Sequence, residues 1–267
     1  MTKTHKFIVW CAMVAITSFW MWASMRVWLD DPFSEVAKNY NNLSIFTLLF
    51  TLLLVLLSLG WIFFRNRLWS IYLGIIISLT FLGIFGISNI NLVGVFILIM
   101  LFYHAQDIVV GEINERIKMN SRLLIKKGLA NSVVAFFILI SFAVYQSPAI
   151  KSFKDVSELP SSSQIFIKKV VGGTLGGQID QVSPSEKEAI LNQVTQEVIR
   201  ESNLFLKPYF EYIPPALAFG LFLILWGVSW IFIWLAVFIG MLFFQILQKT
   251  KFFKIEERDV RAETIVV

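Results

Sequence analysis

Two side chains near the middle of the chain have the types and spacing for acid–base chemistry. The segment FYHAQD, residues 102–107, places His104 and Asp107 three positions apart, so a helix would carry both on one face. A carboxylate beside an imidazole can orient the ring and raise its pKa, as in proton shuttles. The alternative is a helix end where polar residues meet lipid headgroups. His104 and Asp107 are therefore weak functional candidates.

A glycine cluster, GGTLGG at residues 172–177, could in principle hold a phosphate. Gln178 follows its last glycine where a P-loop needs Lys and then Ser or Thr, and the spacing does not match the G-x-G-x-x-G of dinucleotide sites. The flanking Lys169 and Asp180 exclude an apolar span in which G-x-x-x-G pairs pack helices. The cluster predicts a flexible bend, with close packing against membrane helices as the alternative.

The sequence lacks the common catalytic and metal-binding patterns. H-E-x-x-H, G-x-S-x-G and facing pairs of intramembrane Asp residues are all missing. Cys11, His5 and His104 are too few for a structural zinc site of about four ligands. We therefore predict no catalytic residue, no cofactor, no metal and no enzymatic activity.

Composition indicates a membrane protein. Hydrophobic residues make up 57% of the chain and charged residues 15%, against about 25% charged residues in a soluble domain. Within residues 45–64, IFTLLFTLLLVLLSLGWIFF, fifteen of the twenty side chains are Leu, Ile, Phe or Val. These fifteen favour membrane insertion by about 5–9 kcal/mol, and the lipid bilayer is the predicted solvent.

The apolar runs predict an all-α fold. It is a polytopic membrane helix bundle of about six transmembrane helices with a small helical extracytoplasmic domain. The six spans lie at about 7–25, 45–64, 68–87, 91–110, 129–146 and 213–247, with tight turns at RNR (65–67) and SNIN (88–91). The predicted domains are a five-span bundle (1–146), the extracytoplasmic domain (147–212), a long last transmembrane helix (213–248) and a cytoplasmic tail (249–267).

Lysine and arginine positions predict that both chain ends lie in the cytoplasm. With the N-terminus inside, the inner segments hold fourteen basic residues and the two short outer segments hold only Arg26 and Lys38. The cell membrane, most simply a bacterial plasma membrane, is the predicted location. The net charge of +5 does not predict nucleic-acid binding, because the basic residues flank apolar spans instead of forming a stripe.

The last apolar run, 213–247, is too long for one crossing. As one helix it would measure about 52 Å against a hydrocarbon core of about 30 Å. We expect its outer third to project from the membrane, covered by the outer domain or by a partner. The alternative is a break at WGVS (226–229). Trp226, Trp230 and Trp234 recur on one face and favour interface packing over a ligand platform.

Three further segments carry expectations. SPSE (183–186) predicts a helix that begins at Pro184 and ends before Pro208. Residues 113–127, INERIKMNSRLLIKK, predict an amphipathic linker on the inner membrane surface. The final TIVV could bind a partner by strand addition or through its carboxylate, or could be a frayed end.

These features predict a non-catalytic membrane protein that binds or scaffolds partners through its extracytoplasmic domain and cytoplasmic tail. The predicted partner is another protein or a further copy of this chain. The first alternative is a transporter or channel subunit with a polar path past Asn131, Ser132 and His104. The second is a lipid-modifying enzyme, for which only residues 104–122 could supply convergent charged groups.

Overall fold

The computed structural model describes residues 2–30, 40–115, 120–151, 167, 170–171, 173, 184–206 and 212–253. The described residues contain no β-strand, and the predicted all-α fold is confirmed. The helices are α1 (Lys3–Asp30), α2 (Tyr40–Phe63), α3 (Arg67–Phe85), α4 (Asn89–Glu115), α5 (Ser121–Tyr145), α6 (Pro148–Lys151), α7 (Pro184–Leu206) and α8 (Ile213–Lys249).

Six of these helices, α1 to α5 and α8, are long and apolar enough to cross a membrane. Lipid offers no hydrogen-bond partner to backbone groups, so a spanning segment must satisfy them within itself, as a helix does. The chain is therefore an integral membrane protein. Its helices run beyond most of the apolar stretches that predicted them.

Two short turns join α2, α3 and α4. Asn66 caps the start of α3, where its side chain accepts a hydrogen bond of 3.0 Å from the backbone N–H of Leu68. Gly86 ends α3 with a φ of 83°, a conformation open to glycine and strained for other residues. The Asn91 side chain then donates to the Gly86 carbonyl over 2.8 Å. The turn predicted at 65–67 is present at 64–66, and the second turn lies at 86–88, two residues before the predicted 88–91.

The chain divides into two compact units, Met1–Val144 with Phe219–Val267, and Tyr145–Ala218. In the first unit, α2 and α5 form the centre, with 67% of the residues of each apolar window buried. The Phe136 ring on α5 lies 5.4 Å from Phe50 on α2 and 5.9 Å from both Trp22 on α1 and Phe102 on α4. Rings from four helices therefore meet at one place in the core.

Close approach of α1 and α2 depends on a glycine. Trp10 of α1 donates its indole N–H to the Leu56 carbonyl of α2 over 2.9 Å. A Cβ at Gly60 would lie 2.9 Å from that indole nitrogen, closer than van der Waals contact allows. Gly60 therefore makes room for a buried hydrogen bond between helices.

One end of this unit collects the start of α1, the end of α2 and the end of α8. Lys6 of α1 donates to the Phe252 carbonyl over 2.5 Å, and the Phe253 ring lies 4.7 Å from Phe63. We call it the Arg67 end, because α3 also begins there, and the opposite end the Gly86 end. The described N- and C-terminal segments thus lie at the same end of the bundle.

The last helix, α8, is continuous over 37 residues. The alternative of a break at residues 226–229 is therefore wrong, since WGVS lies in the middle of the helix. Only 11% of the residues in the most apolar stretch of α8 are buried, far less than in α2 or α5. This helix lies at the periphery of the first unit.

The prediction of a surface linker over residues 113–127 is wrong wherever the structure describes it. Residues 113–115 are the last residues of α4, and residues 121–127 form the first turns of α5. In residues 121–127 charged side chains alternate with apolar ones. The apolar Leu124 and Ile125 face the bundle and are buried. In the other unit, α7 begins at Pro184 and ends at Leu206, as predicted.

Candidate functional site at the Arg67 end of the bundle

His104 and Asp107 both lie on α4 close to the Arg67 end. Asp107 forms an ion pair with Arg67, the first residue of α3, and both side chains are about half exposed. In the part of the chain that the structure describes, no hydrogen bond or ion pair joins His104 to Asp107. The His104 side chain is exposed. The carboxylate therefore faces a guanidinium on the neighbouring helix.

Tyr103 completes the group around Arg67. The guanidinium donates to the Tyr103 hydroxyl over 3.1 Å and lies 5.5 Å from the centre of its ring. Sequence reasoning missed both Arg67 and Tyr103. Arg67 and Asp107 lie at equal sequence distance from the turn between α3 and α4, so an antiparallel hairpin brings them level. These equal distances could have predicted that Arg67 and Asp107 form a pair.

This group can anchor two helices at the membrane surface. An exposed ion pair contributes little to stability, because water screens both charges. The aromatic ring and the guanidinium are the side-chain types that concentrate at membrane interfaces. The group of Arg67, Tyr103 and Asp107 is therefore best suited to holding α3 against α4.

A buried amide, Gln106, lies on the face of α4 that packs against the end of α2. Its Nε2 donates to the carbonyl of Phe64 over 3.1 Å and to that of Trp61 over 3.3 Å. The last carbonyls of a helix have no partner within it; Trp61 lies in the last turn of α2, and Phe64 directly follows the helix. Gln106 is fully buried, so it supplies hydrogen bonds that water cannot.

A second ion pair joins α4 to α5. Lys127 pairs with Glu112, whose side chain is only 5% exposed, whereas that of Lys127 is 44% exposed. A carboxylate this deeply buried needs a charged partner. The pair therefore fixes the start of α5 against the end of α4.

The chain after α8 turns back onto the bundle. Lys251 adopts a φ of 58°, and the backbone N–H groups of Lys251 and Phe252 donate to the carbonyls of Gln248 and Leu247 over 3.1 and 3.0 Å. This pair of bonds is a Schellman motif, which usually places glycine at the position of Lys251. The turn directs Phe252 towards Trp10, with 6.1 Å between ring centres.

Three other predicted features are the polar path past Asn131 and Ser132, the glycine cluster and the final TIVV. Ser132 is buried and donates to the carbonyl of Gly128 in its own helix over 3.0 Å, whereas Asn131 is partly buried. Of the glycine cluster, the structure describes only Gly173, and the final TIVV lies outside the described residues. Within the described ranges, no group of three or more His, Cys, Asp or Glu side chains could hold a metal ion.

No family model, curated protein or solved structure matches this chain. Its own residues, their packing and their exposure are therefore what indicates a function.

Proposed function

We propose that this is a non-catalytic membrane protein that binds protein partners on its outer side and through its C-terminal tail. The Arg67 end faces the cytoplasm in this proposal. Described basic residues gather at that end, namely Lys6, Arg65, Arg67, Arg122, Lys126, Lys127, Lys249 and Lys251. Positive residues are retained on the cytoplasmic side of membranes, which supports the orientation.

The observation that carries the proposal is the length of α8 relative to α2. The rings of Phe232 and Phe50 lie 5.1 Å apart, and those of Phe244 and Phe63 lie 6.2 Å apart. These contacts place the apolar span of α2, Ser44–Phe63, alongside residues of about 226–245 in α8. Within the same unit, residues 219–225 of α8 then extend about 10 Å further, and the helix itself continues back to Ile213.

This extension, residues 213–225, has the sequence IPPALAFGLFLIL and contains no polar side chain. Phe219 is 62% exposed and Ile224 is 66% exposed. Outside the hydrocarbon, each 100 Å² of such surface left in water costs about 2.5 kcal/mol. Another protein surface would remove this cost, and so the extension is suited to binding a partner.

A photo-crosslinking experiment in native membranes tests the proposal. Phe219→p-benzoylphenylalanine places the crosslinker on the extension, and Phe96→p-benzoylphenylalanine is the matched control. Phe96 is 64% exposed, on the spanning part of α4. We expect Phe219 to yield crosslinks to protein and Phe96 to yield lipid adducts only. Repeated absence of protein crosslinks from Phe219 would contradict the proposal.

A transporter or channel subunit is the alternative, and the polar group of Arg67, Tyr103 and Asp107 at the end of two spanning helices is what favours it. Its test is the pair of variants His104→Ala and Asp107→Ala. Unchanged solute flux or growth in both variants would remove its best candidate site.

A further inference from the structure

We propose that the partner bound by α8 is a second copy of this chain, packed parallel to the first through one exposed face of the helix. The inference rests on the proposed function and specifies its partner. The face comprises Phe219, Leu223, Trp226, Trp230, Trp234 and Phe238, which helical periodicity brings to one side.

Most of these side chains are exposed, and Trp234 also lies beside the bundle, with the Arg122 guanidinium of α5 6.0 Å from the centre of its ring. The three tryptophans are 57%, 61% and 65% exposed in chain order, and Phe238 is 59% exposed. The opposite side of α8 supplies bundle contacts through Phe232 and Ala236, and near the Arg67 end Phe244 packs against Phe63. The face is therefore most exposed between Phe219 and Trp234, whereas Val237 and Phe244, on the same side nearer the Arg67 end, are buried.

Two glycines on the same side of α8 leave room for a neighbouring helix. A Cβ added at Gly220 or at Gly227 would meet no atom within 4 Å. Helices in membranes associate where small residues allow close approach, because lipid supplies no hydrophobic force between them. On this side of α8 the large rings project and the glycines leave gaps. The rings of a second α8 can therefore fit into the gaps of the first.

The length of the α8 extension favours a second copy of this chain as the partner over a helix of a different protein. All copies insert with the same orientation, because the same basic residues direct each of them. A second α8 therefore brings an apolar extension of equal length to the same side of the membrane. From Ile213 to Gln248, α8 carries no ionisable residue, so its neighbour must be apolar over the same length.

The available area is close to that of a stable interface. An aromatic side chain presents about 150–250 Å². At the exposed fractions of Phe219, Trp226, Trp230, Trp234 and Phe238, five such rings offer roughly 450–750 Å² per copy. Standard protein interfaces bury about 800 Å² on each partner, and the aliphatic residues of the face supply the remainder.

Cysteine crosslinking between differently tagged copies in native membranes tests the inference. In a Cys11→Ala background, Leu223→Cys and Trp230→Cys should form disulfide-linked dimers on oxidation. Ile246→Cys, on another side of α8 and 56% exposed, is the control and should stay monomeric.

Filling one of the holes gives a second test. Gly227→Leu should weaken the dimer about tenfold or more in nanodiscs, since the added side chain occupies the space of the neighbouring helix. The fold of the single chain should be unaffected, because the space over Gly227 is open. Gly83→Leu is the matched control on α3, where the space is also open, and should leave the dimer intact.

The outcomes separate the two proposals. Absence of homodimer from both face cysteines, with Phe219 crosslinked to a different protein, overturns the second-copy inference and leaves partner binding in place. Absence of any protein crosslink overturns both. An intact dimer in Gly227→Leu places the interface elsewhere and overturns the inference.

Discussion

Single side chains secure the helix ends of this bundle. Gln106 reaches from α4 to the last carbonyls of α2, and Lys251 closes the end of α8 in a left-handed conformation. Neither role follows from sequence pattern, because a glutamine in an apolar run does not say which carbonyl it will meet. A lysine after a helix gives no sign of a positive φ, since glycine is the usual residue there.

Replacing Gln106 should destabilise the protein. Gln106→Leu keeps the site filled but leaves the Trp61 and Phe64 carbonyls without their donor, and we expect a loss of about 1–3 kcal/mol. Thermal unfolding in mild detergent measures it. Gln245→Leu, at an exposed position of α8, is the control and should change stability by less than about 0.5 kcal/mol. Equal effects at both positions would contradict the capping role.

The Lys251 turn makes a prediction of opposite sign. Lys251→Gly should stabilise the C-terminal turn by about 1 kcal/mol, because glycine adopts a φ of 58° without a steric cost. Lys251→Ala removes the same charge but keeps the Cβ, and it should bring no such gain. Protease resistance at the end of α8 is the measurement. A gain in the alanine variant equal to that in the glycine variant would assign the effect to charge instead.

At the scale of the elements, glycines decide how closely helices approach. A Cβ at Gly128 of α5 would lie 2.9 Å from the Trp61 ring of α2 and 3.0 Å from Val109 of α4. Trp61 is fully buried, so its ring has no room to move aside. The centre of the bundle therefore depends on the missing side chain of Gly128.

Gly128→Ala should cost about 1–3 kcal/mol of stability through overpacking. The matched control is Gly111→Ala on α4, where a Cβ would meet nothing within 4 Å. That variant should be neutral or gain up to about 1 kcal/mol from the higher helix propensity of alanine. Unfolding midpoints of the two variants in the same detergent decide the question, and a harmless Gly128→Ala would refute the close approach.

The sequence was sufficient to predict the six spanning helices and, to within two residues, both short turns, because apolar runs of membrane length and turn residues are local signals. It was not sufficient to assign residues 121–127 to a spanning helix. Charged residues there suggested a surface segment, whereas Leu124 and Ile125 pack inside. The partner of Asp107 was missed for a related reason, since it depends on how two helices meet.

At the scale of the molecule, lipid can cover most of the exposed apolar side chains. It cannot cover those on the part of α8 that extends beyond the bilayer. The exposed side chains of α1, α3 and α4 lie on helices of 19–28 residues, close to the thickness of a bilayer. With 37 residues and a length of about 55 Å, α8 exceeds the thickness of a bilayer with its headgroups, about 40–45 Å, by about 10–15 Å. The excess is the physical reason to expect a protein partner.

Cysteine accessibility in intact cells tests the central claim, which is six crossings with the Arg67 end inside. In a Cys11→Ala background, single variants Asn66→Cys, Asn120→Cys, Leu175→Cys and Val260→Cys are treated with a membrane-impermeant thiol reagent. Permeabilised cells serve as the labelling control. We predict that only Leu175→Cys is labelled from outside. Labelling of Val260→Cys in intact cells would contradict the account, because it would invert the bundle or add a crossing.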